Sequence, residues 1–522
     1  MITVVGGGFA GVEAAWGIAQ RGEKVRLVEM RPHRRSPAHQ TDWLAELVCS
    51  NSLKSASPTS PAGLLKEEMD ALGSIVLEVA RETSVPGGEA LCVDRALFAE
   101  GLSRRLEAHP NVELIRREAS PDAIAGWMAE GPVILATGPL TTPEVSDWIA
   151  QATGREHLYF YDAVSPTVEA SSLDRSIVFA QSRYDKKLAI EGGEQETGSE
   201  EGDYLNCPFD KSSYEAFVEA LIHAERAPIH AFEAGGVRTE TVIDEGYALG
   251  AQAGGTGVPP VQGATVCDQE AAEDGDSLHR RDADATLEDR FLEKIKYFAG
   301  CTPIEAIAEK GARSLAFGNF KPIGLTDPRT GRRPWAALQL RPENAEKTLY
   351  SLVACQTRLK FGEQRRIFRM VPGLENAEFV RYGVIHRNTY VEAPTVLGPN
   401  LEMRAVPGLF LSGQLTGVEG YVESAAMGIV SAIATLAAVR GTHWTSPART
   451  TALGALLGHL ADETPREFAP MNINWGLLPE PLDESGNPFR DKGAKRAKKL
   501  ATARADFAAW LGNSGYRNGQ PS

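Results

Sequence analysis

The chain has 522 residues, 43% hydrophobic and 24% charged, with a formal net charge of −15. That length suggests roughly two to four domains with cores large enough to need no disulfide or structural metal. The acidic balance argues against a protein that simply coats nucleic acid. The six scattered cysteines, with no C-x-x-C, argue against a dithiol centre or zinc ribbon and read as reduced, cytoplasmic thiols.

The first thirty residues carry the most specific pattern. A β-branched run, Ile2–Val5, enters Gly6-x-Gly8-x-x-Gly11; an apolar helical pattern follows, then a second strand, Val25–Val28, ending in Glu29. No basic segment precedes the first strand, so no signal peptide is expected. Strand, Gly loop, helix, strand and acid in that order fit dinucleotide binding. Gly6 permits the tight turn, Gly8 lets a pyrophosphate approach the backbone, and Gly11 lets helix pack on strand. The helix N-terminus faces the phosphates, and Glu29 would accept from ribose hydroxyls. The N-terminal position favours resident FAD over NAD. The bland alternative is a Gly-rich turn of an unrelated α/β fold.

Further along, AELVCSNSLKS (45–55) places Cys49 where an apolar run turns polar. Alone, such a cysteine reads as a core thiol. VILATGPL (133–140) is an apolar strand ending in Thr137-Gly138, as flavoprotein strands end beneath the cofactor. Residues 233–290 hold 13 acids against 4 bases, are rich in Gly, Ala and Pro, and are expected to form a long disordered loop in which Cys267 is incidental. In KYFAGCTPIEAIAEKG (296–311), Cys301 precedes Thr-Pro and a short helical run, a place that favours a thiolate. Residues 321–390 hold 13 Lys/Arg against 6 Asp/Glu. Within them TRLKFGEQRRIFR (357–369) and VRYGVIHRNTY (380–390) mix bases with aromatics, which suits unpaired RNA but equally a solvated face.

A second strand, Gly loop and helix occupies 409–439, with Gly413, Gln414, Gly417 and Gly420 in the loop. A helix from near Glu423 would aim its positive end at the flavin. The longest apolar stretch, near 428–439, is too short to span a bilayer. The tail 490–504 carries seven Lys/Arg against one Asp in a helix-compatible sequence. The expected fold is α/β: a Rossmann-like FAD-binding domain of glutathione-reductase type (1–160 plus 376–445), an inserted α/β domain (161–375) that faces substrate and RNA, and a helical basic segment (446–522). No metal site is expected.

The chain resembles the folate- and FAD-dependent tRNA uracil-5-methyltransferases, the TrmFO family, over nearly all of 1–232 and 291–510. The resemblance rests on VVGGGFAGVEAAW, VEMRP, AELVCSNSLKS, DRALF, ATGPL, FYDAVSPTV, SRYDK, DYLNCPF, YFAGCTPIE, KPIGLTDPRTGRRPWAALQLR, GLENAEFVRYGVIHRN, GQLTGVEGYVESAA and PMNINWG. It implies bound FAD reduced by NAD(P)H, with methylenetetrahydrofolate as one-carbon donor and the T-loop uridine of tRNA as acceptor. Two cysteines map onto Cys49 and Cys301. Cys301 is taken as the nucleophile at uracil C6, Cys49 as the group that handles the C5 proton, and Tyr421 as a stacking residue; SNS (50–52) would line the site. Glu305 and His386 are weaker candidates, each more readily explained by a structural hydrogen bond. The rivals are the same chemistry on ribosomal RNA, a plain flavin NAD(P)H oxidoreductase, and a non-catalytic FAD-binding RNA chaperone.

Overall fold

The computed structural model describes residues 1–36, 38–154, 158–163, 165–182, 203–227, 302–383, 385–464, 468–483, 486–514 and 516. The acidic stretch 233–290 and Cys301 lie outside them.

Four sheets organise the chain. The first is a five-stranded parallel sheet in the order β16 (Leu409–Leu411), β7 (Val133–Leu135), β1 (Ile2–Val5), β2 (Val25–Glu29), β6 (Val112–Arg116). Its three central strands are almost wholly buried, which is why they read as unbroken apolar runs instead of alternating ones. The second is antiparallel with six strands: β10 (Phe179–Ala180), β11 (Leu205–Phe209), β12 (Ala336–Pro342), β13 (Leu349–Leu352), β9 (Thr167–Glu169), β14 (Phe379–Arg381). A three-stranded sheet, β3 (Ser52–Ser55), β5 (Ala90–Val93), β4 (Ser84–Val85), and a two-stranded ribbon, β8 (Leu158–Ala163) with β15 (Ile385–Tyr390), complete the set.

Two apolar cores follow. One gathers the parallel sheet, its helices and the segment 452–510; the other gathers the six-stranded sheet with Phe209, Phe217, Phe320 and Phe368. In the first core the helix Phe9–Gln20 lies against the long helix Tyr421–Arg440. The contact needs small residues: a Cβ at Gly428 would collide with the Ala10 carbonyl, and one at Gly17 would lie 3.2 Å from Ala432. The long helix, which starts two residues before Glu423, is the one described helix long and apolar enough to cross a membrane, but most of it is buried in this core.

The basic tail forms the helix Lys492–Ser514. It is only partly a free charged face. Buried Lys499 donates to the Trp475 and Leu478 carbonyls at 2.7 and 2.9 Å and to Glu480 at 2.9 Å. Arg504 pairs with Glu67 at 2.7 Å. These bonds pin the segment 471–480, which itself docks on the 413–420 loop through Met471 N–H to Gly417 O (3.1 Å) and Glu419 N–H to Met471 O (3.0 Å).

Candidate functional site

The first component is the glycine loop. Gly6 has φ +103°, and a Cβ there would run into the Ala136 backbone at the end of β7; a Cβ at Gly11 would overlap the Gly6 carbonyl. A Cβ at Gly8 would meet nothing within 4 Å. Two glycines are thus demanded by the protein's own packing, and the middle one leaves the backbone open to a ligand. Glu29 is buried at the end of β2. Its Oε2 accepts from Gly7 N–H at 2.9 Å, and its Oε1 from the Arg31 N–H and Nε at 3.0 and 2.7 Å. Burial works against its charge, and Arg31 more than offsets that, so the carboxyl sits below its ordinary range. Oε2, with one donor, has a lone pair left for a hydroxyl. Across the sheet Gly138 (φ +71°) is also open, and Thr137 Oγ1 pairs with Thr141 Oγ1 at 2.6 Å. The cradle fits a dinucleotide such as FAD.

The C-terminal loop contributes differently. A Cβ at Gly413 (φ +70°) would lie 2.7 Å from the Ala10 side chain, and one at Gly417 (φ +95°) 2.5 Å from Phe468. At both positions the protein's own packing excludes a side chain. Gln414 donates to Glu419 at 2.5 Å.

Cys49 sits at the meeting point of these parts. Its loop is bracketed by two residues in the left-handed region, Ala45 (φ +47°) and Lys54 (φ +63°), which costs of order 1 kcal/mol each. The loop therefore has to be held from outside. Cys49 N–H donates to the Tyr421 hydroxyl at 2.7 Å, and its carbonyl accepts from Arg95 Nη2 at 2.9 Å and Arg381 Nη2 at 3.4 Å. The Tyr421 ring stacks on Phe9, beside Gly8, with centroids 4.6 Å apart, and Phe9 stacks on Phe98. Asn51, fully buried, staples two sheets by donating to the Val93 and Pro342 carbonyls, both at 2.9 Å; it does not line an open site. Lys54 reaches Glu423 Oε1 at 2.6 Å and the Glu419 carbonyl at 3.2 Å, and Glu423 in turn accepts from Ile473 N–H at 3.0 Å.

The charge around Cys49 is uneven. Arg95 is ion-paired with buried Glu343. Burial pushes the Glu343 carboxyl up, but Arg95, with Arg381 and Arg341 behind it, holds it down at about 2. Arg381 has no carboxylate partner among the described residues; it donates to Thr167 Oγ1 at 3.1 Å, and its buried Nε bonds to nothing. Burial, followed by the like charge of Arg95, pushes Arg381 down to about 10. Arg95, Glu343 and Arg381 went unremarked in the sequence. Their one signal is that Arg95 opens the helix of the DRALF motif and Arg381 lies in VRYGVIHRNTY.

Other expected residues fall as follows. Glu305 is buried, accepting from Thr357 Oγ1 at 2.8 Å and Arg358 N–H at 2.9 Å, the structural bond expected as the plainer reading. His386 pairs with Asp162 in the β15–β8 ribbon, and its side chain lies outside the described residues, as does all of Cys301. In 357–369, Lys360 pairs with Glu225, Arg366 with Glu363, and Arg369 with the Ala377 carbonyl; Phe361 and Phe379 both stack on Tyr382. That stretch is largely committed within the fold.

Comparisons with known proteins give the family and the fold. A family model described as glucose inhibited division protein A matches residues 1–247 and 278–443. The chain is 45% identical to the methylenetetrahydrofolate--tRNA-(uracil-5-)-methyltransferase TrmFO of Moorella thermoacetica, over 97% of this chain and 96% of that protein. It is 42% identical to the protein of the same description from Geobacter sulfurreducens, over 98% of each. Among solved structures, Aquifex aeolicus GidA in its form I crystal superposes with a TM-score of 0.58 at 16% identity, covering 99% of this chain and 77% of that one. At that identity the likeness speaks for the fold.

Proposed function

The chain belongs to the GidA family and, within it, to the TrmFO methyltransferases, and on that premise we propose that it methylates C5 of the T-loop uridine in tRNA. When bound, FAD in its reduced form supplies the hydride and methylenetetrahydrofolate the one-carbon unit. NAD(P)H serves as the reductant of the flavin, and the cytoplasm, where tRNA is matured, is the site of action. The division is that of an FAD-binding part (1–160 with 376–445), an inserted part (161–375) and a C-terminal part (446–522).

The observation that carries the reading is the convergence of Phe9, Tyr421 and Cys49, which joins the glycine loop, the C-terminal loop and the cysteine loop at one point. Gly6, Gly8, Gly11 and Glu29 hold the dinucleotide, with Thr137, Gly138, Gly413, Gln414 and Gly417 along its length. Cys301 adds to C6 of the uracil, which makes C5 nucleophilic. Cys49 then takes the C5 proton once the one-carbon unit is attached, and the Cys301–C6 bond breaks as the methyl group is completed, returning the thiolate. The half-buried guanidiniums of Arg95 and Arg381, with one carboxylate between them, support this role, because excess positive charge favours a thiolate. Tyr421 fixes the Cys49 backbone and, stacked on Phe9, is the ring nearest to where a flat substrate would lie.

The test is direct. Purified flavoprotein is incubated with methylenetetrahydrofolate, NAD(P)H and an unmodified tRNA transcript, and 5-methyluridine is measured. Product is expected at the T-loop position; NAD(P)H oxidation without RNA product, or product only on ribosomal RNA, overturns the reading. Cys301→Ala is expected to lose the covalent adduct with 5-fluorouridine RNA, and an adduct lost only in Cys49→Ala reverses the two cysteine roles.

A further inference from the structure

One basic, aromatic face has no part in the site above. Phe317 is 69% exposed and Trp335 38%, the only phenylalanine and tryptophan among the large exposed hydrophobic side chains of the described residues. The Arg313 guanidinium lies 5.7 Å from the Trp335 ring centroid and the Lys211 ammonium 5.8 Å. Phe317 follows Arg313 by one turn, its N–H bonded to the Arg313 carbonyl at 3.0 Å, so the two share a side. Lys310, Lys321, Arg332 and Arg333 are exposed in the same stretch. Among the described residues no carboxylate pairs with these four or with Arg313. The single acid of residues 310–335, Asp327, is buried and taken by Arg329 at 2.8 Å.

The contrast with 357–369 is informative. There Lys360 and Arg366 are paired with carboxylates, Arg369 is taken by a backbone carbonyl, and the aromatics stack on one another. Here Arg313 lies over an exposed ring without an anion, Lys211 beside it pairs with Glu215 at 3.7 Å, and four more exposed cations of the stretch have no carboxylate partner among the described residues. Exposed aromatic surface is unfavourable unless something covers it, and concentrated unpaired cations attract a polyanion.

We infer that the Phe317–Trp335 face is an RNA-binding platform that grips a segment of the substrate away from the reacting base. The inference rests on tRNA being the substrate. The strand β12, Ala336–Pro342, separates Trp335, just before it, from Glu343, just after it and beside the Cys49 loop. Its seven residues span about 23 Å at ~3.3 Å each. The platform therefore meets RNA flanking the uridine and not the uridine itself. Arg332, Arg333, Lys321 and Lys310 supply phosphate contacts; Phe317 and the Arg313–Trp335 pair supply flat surfaces for an unpaired base.

The experiment uses the full-length flavoprotein and an unmodified tRNA transcript, with affinity read by fluorescence anisotropy across a salt series. The Arg332→Glu/Arg333→Glu double variant is expected to lose roughly tenfold or more in affinity, with the log–log salt slope shallower by about two. Phe317→Ala is expected to lose about threefold to tenfold with the slope unchanged. In turnover both raise KM for tRNA and leave kcat as it was. If the double glutamate variant does not retain FAD, Arg332→Gln/Arg333→Gln is expected to move the slope the same way by less. Wild-type tRNA affinity in Phe317→Ala and in the double variant overturns the platform, whether or not the face binds some protein instead. Binding is read without folate or NAD(P)H, so failure of the methyl-transfer reading shows separately, as binding without 5-methyluridine.

Discussion

The Gly6–Gly11 loop and the Cys49 loop bring backbone to the same place by opposite means. The first is shaped by missing side chains: Gly6 and Gly11 fit because no atom stands where a Cβ would be, and every contact that demands this comes from the adjoining turn or from β7. The second is shaped by side chains brought from far away. Between its strained ends at Ala45 and Lys54 it is held at Cys49 by Arg95, Arg381 and Tyr421, and at Lys54 by Glu423, up to 372 residues distant in the chain. A loop held by sterics fails when any atom is added. A loop held by borrowed charges and hydroxyls can be loosened one tether at a time while the sheet beneath it stays folded.

The sharpest way to break that comparison is Gly11→Ala. One methyl group would overlap the Gly6 carbonyl, and the helix cannot back away because Gly428 already holds it against the long helix. The variant is expected to purify without FAD and to lose about 3 kcal/mol or more of stability, read by flavin absorbance and urea midpoint. A yellow variant of unchanged midpoint removes the steric half of the comparison. Glu343→Gln tests the other half. It leaves Arg95 and Arg381 half-buried with no anion, at an expected cost of about 3 kcal/mol, yet FAD is expected to stay bound because the glycine loop is untouched. The pH dependence gives the same number by another route. The folded carboxyl is held at about 2 against an unfolded value near 4.5, so the folded state binds fewer protons between those values. Its stabilisation, about 3 kcal/mol by linkage, is full above pH 4.5 and is lost as pH falls towards 2. Acid unfolding curves of the wild type and Glu343→Gln should converge across that window; curves that stay parallel count against the ion pair.

The same difference explains what could be read from the sequence. The glycine loop, β1, β2 and Glu29 were legible because their rules are local: a fixed spacing, an apolar run, an acid at the strand end. The long helix after the second Gly loop was legible for the same reason, beginning at Tyr421, two residues before Glu423. The environment of Cys49 was not legible. Nothing in DRALF says that its arginine will reach a cysteine carbonyl 46 residues earlier, or that Glu343 will lie between two guanidiniums. Basic stretches differed in a way their sequence did not show: in 357–369 Lys360 and Arg366 found surface carboxylates, while in 310–335 only Arg329 is paired among the described residues. Whether a lysine or arginine is available depends on which carboxylates the fold places within 4 Å, and spacing along the chain carries no record of that.

The smallest expected effect is also the most selective test. Tyr421→Phe keeps the ring stacked on Phe9 and removes only the hydroxyl that accepts from Cys49 N–H. An orphaned, half-sheltered N–H costs about 1 kcal/mol, so Tm should fall by only a few degrees and FAD content should not change. The Cys49 loop, however, loses one of its backbone tethers while Ala45 and Lys54 still strain against the rest. Cys49 should therefore alkylate faster with iodoacetamide, followed by mass spectrometry of its peptide, and kcat should fall several-fold with little change in KM. Tyr421→Ala, which also removes the ring, should cost more in stability and in FAD retention. If Tyr421→Phe alkylates and turns over like the wild type while Tyr421→Ala does not, the ring's packing alone holds the cysteine loop. The two loops would then differ less than their geometry suggests.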